Sequence, residues 1–358
     1  MSTKQSFSIN GRKIGRSYPP YVIAEMSANH NGDIQNAYQI IDMAKRAGAD
    51  AVKMQTYTAE TLTLDCDFPD FQLTEGLWAG RTLFELYQEA FTPWAWHKPL
   101  FEYAQQQNIS MFSSPFDTTA VDLLEDLNAP AYKIASFEAI DLPLIQYVAQ
   151  TGKPMIISTG MADENEIQEA IEAARAGGCS QLAILHCVSG YPAPAEDYHL
   201  KTLVDMQARF QLPVGLSDHT LENTTAITSI ALGACIVEKH VTLNRQGGGP
   251  DDSFSLEESG LLELSQGVKT AWKSLGQVNY ARKSSEQGNA QFRRSLYFVK
   301  DLAAGDIVTS EHIKSIRPGY GVAPKYRDQI IGQTAPVNIK RGTAVKNRWF
   351  KLGEWNGL

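Results

Sequence analysis

Eight short apolar runs, each ending in polar side chains, recur through the first 241 residues and constrain the fold more than any other feature. A segment with helical periodicity follows each run, and strand–helix alternation repeated eight times is typical of a (β/α)8, or TIM, barrel. The strands of such a barrel all end on one face. We therefore predict an α/β protein with one polar pocket at these ends. The runs comprise residues 21–27, 51–57, 109–115, 131–136, 154–160, 182–189, 213–219 and 235–241.

The helical patterns fill the intervals between the apolar runs, with one exception. Residues 59–80, after the second run, show no clear periodicity, and inserted loops on the active face usually shape substrate choice. The pattern at 82–107 is interrupted at Pro93, because proline breaks a helix. The other helices are expected at residues 34–47, 118–127, 142–150, 164–176, 200–210, 223–232 and 256–275.

Both ends of the chain are expected to lie outside the barrel proper. Residues 7–15 alternate around Asn10-Gly11, a strong hairpin signal, and this hairpin is suited to plug the bottom of the barrel. After residue 275 a polar stretch is typical of a linker, and short apolar pieces then indicate a small second domain. We assign residues 1–20 to the hairpin, 21–275 to the barrel, 276–292 to the linker and 293–358 to the small domain.

The composition is that of an ordinary soluble globular protein, with 43% hydrophobic and 20% charged residues. No leader opens the chain and no apolar run approaches the ~18 residues of a membrane span. We therefore expect a cytoplasmic protein with no membrane partner. The cysteines form no CxxC pair, so neither a disulfide framework nor a zinc finger is indicated. Cys187 and Cys235 fall inside predicted strands and are expected to be packing residues.

Charge is divided unevenly along the chain. Residues 293–358 contain 12 Lys/Arg and 5 Asp/Glu, a net charge of +7, whereas residues 1–292 carry −15. A basic tail and an acidic body are expected to dock. The basic residues are scattered and few aromatic residues lie among them, so we predict no nucleic-acid binding.

Two lysines inside predicted strands, Lys53 and Lys133, indicate an anion-binding pocket. An unpaired buried ammonium group is costly, so two of them facing one pocket call for an anion. Lysines with hydroxyl groups hold phosphate where no P-loop motif is present. The alternative is that each lysine pairs with a buried carboxylate and each hydroxyl caps a strand. The hydroxyl groups at the strand ends belong to Ser113, Ser114, Ser136, Ser158, Thr159, Ser189 and Ser217.

Two histidines, His219 and His240, end the last two predicted strands and are 21 residues apart. Neighbouring strand ends would bring both imidazoles within reach of one metal ion, with Glu25 adjacent once the barrel closes. Imidazole with carboxylate or water suits a divalent ion such as Mn²⁺, Co²⁺ or Mg²⁺. The alternative is that each is a structural residue. His30 and His186 are weaker candidates, and Asp218 and Glu238 are expected to orient the histidines.

The motifs, taken together, resemble the sialic acid synthase family, which comprises phosphoenolpyruvate-dependent nonulosonate synthases. The resemblance rests on EMSANHNG, AGADAVKMQTY, SSPF, AYKIASFE, ISTGM, YPAPAED, GLSDHT, EKH and GPDD, which occur in order along the chain. The tail RSLYFVKDLAAGDIVTSEHIKSIRPGYG resembles the family's antifreeze-like, or SAF, domain. SANHNG, TYTAETLTLD and GLWAGRTLFELYQEAFTPWAWH are similar to the pseudaminic acid synthase branch of this family.

The resemblance implies a role for individual residues. Glu25, Lys53, Lys133 and Asp251 correspond to catalytic positions, and His219 and His240 to metal ligands. Arg317 matches an arginine that one subunit inserts into the pocket of the other, which implies a domain-swapped homodimer. Sialic acid synthases typically carry Thr at position 114 and Asn at position 189. The residues implied to bind phosphoenolpyruvate or an amino-deoxy sugar are Gln55, Ser114, Ser136, Glu138, Ser158, Ser189, Tyr191, Ser217 and Arg317.

Several functions remain open at this point. Within the family, the sugar could be the precursor of pseudaminic, sialic or legionaminic acid. Phe71, Trp78 and Phe116 would suit the methyl group of a deoxy sugar. From other classes, a metal-dependent TIM-barrel hydrolase and a non-enzymatic carbohydrate-binding protein are the alternatives. The hydrolase usually needs a fuller metal-ligand set, and the binding protein has no use for the lysine and histidine pairs.

Overall fold

The computed structural model describes residues 6–353. They form two compact units, one ending at Gly276 and the other beginning at Gln277. No helix in this part of the chain is both long enough and apolar enough to span a membrane. The two units are described separately below.

The first unit is a closed barrel of eight parallel strands. All eight strands lie within the predicted apolar runs, and the TIM-barrel prediction is confirmed. The last strand pairs with the first, which places His240 beside Glu25 in register. The barrel strands are β3 (Tyr21–Glu25), β4 (Ala51–Thr56), β7 (Ser110–Pro115), β8 (Tyr132–Ile134), β9 (Met155–Ser158), β10 (Leu182–Cys187), β11 (Val214–Asp218) and β12 (Ile236–His240).

The predicted hairpin is present and belongs to the barrel core. Strands β1 (Phe7–Ile9) and β2 (Arg12–Ile14) are antiparallel. Phe7, Ile9 and Ile14 pack in one buried cluster with inward-facing barrel residues such as Tyr21 and Phe112. The hairpin thus covers the end of the barrel where the strands begin, which leaves the opposite end for a site.

Alternation along the barrel strands decides which side chains face inward. On β3, Tyr21 and Ile23 join the inner cluster, whereas Val22 and Ala24 join the larger cluster between the strands and the helices. Because strand side chains alternate with period two, the following residue, Glu25, faces the barrel interior.

The helices surround the barrel and follow the predicted pattern. The break at Pro93 separates two helices as expected, and the last helix, α10 (Glu258–Leu275), begins two residues later than predicted because Leu256 pairs with Val241. The helices are α1 (Ile34–Arg46), α2 (Ala59–Leu62), α3 (Leu83–Ala90), α4 (Trp94–Gln106), α5 (Thr118–Asp126), α6 (Leu142–Ala149), α7 (Glu164–Ala176), α8 (Thr202–Phe210), α9 (Thr224–Ala231) and α10 (Glu258–Leu275).

The insertion after β4, which showed no periodicity, contains only short elements. After α2 come a 3-10 turn at Pro69–Phe71 and an antiparallel pair, β5 (Gln72–Leu73) and β6 (Arg81–Thr82). Each strand is two residues long, which is too short for an alternating pattern.

The second unit has its own small core. Strands β13 (Ser295–Phe298) and β14 (Ile313–Ile316) are antiparallel, and α11 (Arg327–Ile330) follows. Leu296, Phe298 and Ile330 are among the buried residues of this core. Within the predicted linker, a 3-10 segment at Ser284–Phe292 contains no buried residue.

Two buried histidines in the barrel unit, His30 and His97, predict sensitivity to acid. Their rings bond to Thr92 and Thr56, and burial lowers the pKa of each to about 4. The unfolded chain takes up these protons near pH 6.5, so unfolding free energy is lost as the pH falls from about 6.5 to 4. We expect a loss on the order of 1–3 kcal/mol per histidine.

Urea unfolding of the whole protein between pH 7 and 4 measures this loss. The double variant His30→Gln/His97→Gln should be less stable at pH 7 but lose less free energy on acidification. His199→Asn is the control, because His199 is exposed. A double variant that keeps the full wild-type pH dependence would contradict the prediction.

Candidate active site

Each barrel strand supplies one inward-facing polar side chain near its carboxyl end. This follows from the alternation seen on β3, because seven of these positions lie two residues after a member of the inner cluster. The eighth, Ser217, lies two residues after Gly215, where an added Cβ would meet Leu185 and Ile236 of that cluster. The set contains two acids, two lysines, three serines and a cysteine. These residues are Glu25, Lys53, Ser114, Lys133, Ser158, Cys187, Ser217 and Glu238.

The four charged members of this ring form one buried ionic cluster. Lys53 Nζ lies 2.8 Å from Glu25 Oε2 and 3.5 Å from Glu238 Oε1. Lys133 Nζ is 3.7 Å from the same Glu238 oxygen. Both lysines therefore have carboxylate partners, as the alternative interpretation of the sequence allowed. The two cations and two carboxylates are shared within one cluster rather than forming isolated pairs.

The carboxylates of this cluster differ in how readily they hold a proton. Burial raises the pKa of Glu25 to about 7, with Lys53 opposing the shift and Glu238 adding to it. Burial acts in the same direction on Glu238, but Lys133 and Lys53 outweigh it and leave the Glu238 pKa below its ordinary value. Near neutral pH, Glu25 is thus the member that gains or loses a proton. When Glu25 is protonated, the cluster carries a net positive charge and favours an anion.

Hydroxyl groups surround the two ammonium groups. Lys53 donates to Ser114 Oγ at 3.2 Å, and Lys133 donates to Ser158 Oγ at 2.6 Å. Ser136 Oγ accepts from the Gly160 amide at 3.2 Å. Lysine ammonium groups and serine hydroxyls gathered in this way form a site for a phosphate or carboxylate group.

Ser189 and Ser217 complete the set of predicted serines. The buried Ser189 Oγ has no hydrogen-bond partner among the described residues, so it is available to a ligand. Ser217, also buried, shares the inward face of β11. Two other predicted hydroxyls point elsewhere: Ser113 bonds to Thr56, and Thr159 donates to the Leu185 carbonyl. Ser113 and Ser114 are consecutive strand residues and must face opposite sides, so the expectation for Ser113 was wrong.

Gly160 is a site residue that the sequence analysis did not single out. A Cβ atom at this position would lie 2.3 Å from Ser189 Oγ and 2.8 Å from Ser136 Oγ. Only glycine therefore allows the two hydroxyls to converge beside the Gly160 amide. The motif ISTGM contained this glycine, but nothing in the sequence placed it between two serines from other strands.

The two histidines lie together at the ends of β11 and β12, as predicted. Their ring centroids are 5.4 Å apart, and the ring of Tyr191 lies 4.3 Å from that of His219. His219 Nδ1 lies 2.7 Å from the Val188 carbonyl, to which it must donate, so in the neutral ring the lone pair is on Nε2. The buried His240 Nδ1 has no hydrogen-bond partner among the described residues. Burial, followed by His219 and Lys53, lowers the pKa of His240, which keeps this ring neutral.

The histidines suit a metal ion that takes its other ligands from water or substrate. Two imidazoles, one of them kept neutral and with an unused buried nitrogen, are appropriate donors for a divalent ion. Within residues 6–353, no group of three or more His, Cys, Asp or Glu side chains is arranged to hold a metal. Asp251 Oδ2 lies 3.9 Å from His240 Nδ1 and is the carboxylate nearest to that nitrogen in the described contacts.

A chain of hydrogen bonds joins Glu25 to Asp251. Gln55 Nε2 donates to Glu25 Oε1 at 3.3 Å and to Ser27 Oγ at 3.2 Å. Ser27 in turn donates to Asp251 Oδ2 at 2.6 Å. Ser27, which the sequence analysis missed, therefore holds Asp251 in place although the two residues are 224 positions apart.

Ser27, Gln55 and Asp251 line a cavity of about 400 Å³. Within it, burial raises the pKa of Glu138 to about 7, and Glu138 Oε2 has no hydrogen-bond partner among the described residues. The cavity is thus lined by the Glu138 carboxyl and the Ser189 hydroxyl, each with an atom that has no hydrogen-bond partner among the described residues, and by the neutral His240 imidazole. Polar residues that line it are Ser27, Gln55, Ser136, Glu138, Ser189, Tyr191, His240 and Asp251.

Asp218 and Glu238 were expected to orient the two histidines, but each pairs with lysine instead. Asp218 faces away from the barrel interior and accepts from Lys239 Nζ at 2.8 Å. Lys239, also buried, donates to the carbonyls of Thr220 and Glu222 as well. This network ties β12 to the loop that follows β11, whereas Glu238 pairs with the two site lysines.

Four other residues that the sequence analysis considered do not line this cavity. His30 belongs to the helix layer, and His186 Nε2 bonds to the Tyr198 carbonyl at 2.5 Å. Cys187 is buried as expected, with its sulfur 3.9 Å from His219 Nδ1. Arg317 belongs to the second unit, where its side chain is exposed and makes no hydrogen bond or ion pair within residues 6–353.

The Asp218–Lys239 pair generates a stability prediction. In Asp218→Asn the buried Lys239 ammonium loses its counter-charge, so we expect urea unfolding to show a loss of about 3 kcal/mol. Asp205→Asn is the matched control, because its salt bridge to Arg209 is exposed and should contribute less than about 1 kcal/mol. Equal small losses in the two variants would show that the pair does not hold this end of the barrel.

Comparison of the sequence with known proteins identifies a family and several relatives. The family model described as "NeuB family" matches residues 40–280, and the SAF domain model matches residues 293–347. Pseudaminic acid synthase of Helicobacter pylori is 40% identical over 91% of this chain and 96% of that protein. N,N'-diacetyllegionaminic acid synthase of Legionella pneumophila is 35% identical over 94% of this chain and 96% of that protein.

A solved structure supports the same grouping. The N-acetylneuraminic acid (sialic acid) synthetase of Leptospira borgpetersenii superposes with a TM-score of 0.71 and 29% identity, over 80% of this chain and 95% of that one. The resemblance to the sialic acid synthase family seen in the sequence is confirmed. This chain belongs to the NeuB family.

Proposed function

We propose that this protein is a pseudaminic acid synthase. It condenses phosphoenolpyruvate with 2,4-diacetamido-2,4,6-trideoxy-L-altrose and yields pseudaminic acid and inorganic phosphate. The observation that carries the proposal is that a lysine–serine anion site and a histidine pair lie at the same end of the barrel. The 40% identity to pseudaminic acid synthases, over nine-tenths of the chain, favours this sugar over the precursors of sialic and legionaminic acid.

The anion site fits phosphoenolpyruvate. Lys53 and Lys133, with Ser114, Ser158 and the other site serines, would hold its phosphate and carboxylate groups. Protein ammonium groups that are already in place stabilise the charge of the departing phosphate without rearrangement. Binding a dianion beside Glu25 and Glu238 also favours protonation of Glu25, the carboxylate whose pKa already lies near 7.

Glu25 is suited to move the protons of this reaction. C3 of phosphoenolpyruvate attacks the sugar aldehyde, and water then adds at C2. The former C2–O bond to phosphate breaks, and phosphate leaves with that oxygen. The aldehyde oxygen gains one proton and the attacking water loses one, so a single group that both accepts and donates serves these two steps. Glu25 does so because a carboxyl with a pKa of about 7 populates both forms at neutral pH. The second proton of the attacking water passes to the departing phosphate as C2 becomes a keto carbon.

A divalent metal ion, Mn²⁺, Co²⁺ or Mg²⁺, fits the histidine pair. His219 and His240 would hold it, with the remaining positions open to water and substrate. When bound, such an ion supplies Lewis-acid polarisation of the aldehyde oxygen. Gln55, Glu138, Tyr191 and Asp251 would orient the sugar around that oxygen.

One assay tests the proposal. Phosphate release from phosphoenolpyruvate is measured with the altrose derivative, with N-acetylmannosamine and with the legionaminic acid precursor. We expect release with the altrose derivative, its loss after chelation, and its recovery when Mn²⁺ is returned. Activity that survives thorough chelation would contradict the assignment of a metal ion to His219 and His240. Release with none of the sugars would instead favour the hydrolase or the carbohydrate-binding protein.

We also infer that the active form is a domain-swapped homodimer in which Arg317 enters the pocket of the partner subunit. Arg317 is exposed and has no bonding partner within residues 6–353. The net charge of +7 on residues 293–358, which we assign to the SAF domain, complements the −15 on residues 1–292. Residues 276–292 would act as the linker. We place the reaction in the cytoplasm, where phosphoenolpyruvate is made.

Co-expression of two inactive variants tests the domain-swapped arrangement. Lys133→Met removes the barrel site and Arg317→Ala removes the inserted arginine, so a mixed dimer has one intact site. Co-expression of the two variants should restore about a quarter of wild-type activity. Lys133→Met with Lys53→Met is the control and should restore none, because both changes lie in the barrel. No recovery with the first pair would place Arg317 outside the partner's site.

A further inference from the structure

The cavity at the barrel end has one polar side and one apolar side. The polar side consists of Ser27, Gln55, Ser136, Glu138, Ser189, Tyr191, His240 and Asp251. The apolar side comes from the insertion between β4 and α3 and from α3 itself. We call it the apolar wall, and it consists of Leu62, Leu73, Trp78, Leu83, Leu86, Tyr87 and Ala90.

Helix α3 contributes a regular stripe to the apolar wall. Leu83, Leu86, Tyr87 and Ala90 recur at helical spacing and all line the cavity. An apolar helical stripe usually packs in a core, but here only Leu86 is buried and the other three are half-exposed. The helix start is fixed by a reciprocal capping box between Thr82 and Glu85. The stripe therefore faces an open space that a ligand can fill.

Trp78 fixes the apolar wall to the polar side of the cavity. Its Nε1 donates to the Pro250 carbonyl at 2.9 Å, next to Asp251. Its ring lies 5.9 Å from the ring of Tyr191. The insertion is thus joined to the loop that carries Asp251, and the two sides of the cavity are held at a set separation.

Two further aromatic residues extend the apolar surface. Tyr57, immediately after β4, has its ring 5.2 Å from Phe116 and 5.9 Å from Tyr87. Phe116 lines the cavity, as the sequence analysis expected of it and of Trp78. Phe71, the third aromatic residue expected there, lies in the 3-10 turn of the insertion and does not line the cavity.

We infer that the apolar wall selects the sugar by accepting methyl groups and excluding hydroxyl groups. This inference rests on the proposed function. A sugar hydroxyl placed against leucine loses its water without gaining a partner, whereas a methyl group gains from contact. The fitting substrate class is a 6-deoxy sugar with acetamido groups, and hexoses with a hydroxymethyl end are disfavoured. Apolar contacts of this kind discriminate by about 10- to 200-fold.

The test introduces a polar group at one position of the apolar wall. Leu83→Gln keeps the approximate size of the side chain, suits a helix and changes a half-exposed position. We expect kcat/KM for the altrose derivative to fall at least about 10-fold. Turnover or inhibition by N-acetylmannosamine should be unchanged or improved, and the KM for phosphoenolpyruvate should stay within about twofold of wild type.

Leu64→Gln is the matched control, since it makes the same substitution in the insertion that precedes α3. Leu64 is 65% exposed and does not line the cavity. We expect wild-type kinetics with both sugars. If Leu83→Gln fails to fold by circular dichroism, Leu83→Ala replaces it, with the same expected loss confined to the altrose derivative.

The outcomes separate this inference from the proposed function. If the wild type releases no phosphate with any sugar, the synthase proposal fails. If the wild type uses the altrose derivative but Leu83→Gln changes both sugars equally, or neither, the apolar wall does not select the sugar. If the wild type prefers N-acetylmannosamine, the reaction stands but both the sugar assignment and the selection by the wall are overturned.

Discussion

The buried cluster of two lysines and two glutamates is the interaction on which the site depends. Isolated charges at this depth would be too costly to keep, so each must be compensated by the others. Because Lys53 lies between Glu25 and Glu238, while Lys133 reaches only Glu238, the compensation is uneven. Glu25 is left with a pKa of about 7. The same arrangement therefore holds an anion and supplies a group for proton transfer.

Much of the fold could be predicted from the sequence because the barrel repeats one simple pattern. Apolar runs at regular intervals located all eight strands, and Asn10-Gly11 located the hairpin. The strand pair β5–β6 was not predicted, because two-residue strands leave no periodic signal. The break at Pro93 was predicted because proline acts locally, without reference to the rest of the fold.

The site was predictable where a residue's strand position decided its direction. Lys53 and Lys133 lie together because both point into the barrel interior, where they contact Glu238. His219 and His240 lie together because they come at the ends of the neighbouring strands β11 and β12. Asp218 was misplaced because the alternation of inward and outward side chains was not applied to β11. Ser27 and Gly160 were missed for another reason: their importance comes from side chains that are distant in sequence, which composition and spacing do not reveal.

The closure of the barrel has a consequence for how the protein acquires its site during synthesis. Glu25 comes from the first barrel strand, and its neighbours Glu238 and His240 come from the last. A growing chain that has not yet produced β12 holds Glu25 and Lys53 without the carboxylate that links the two lysines. The pocket is therefore complete only once the final strand has paired with the first.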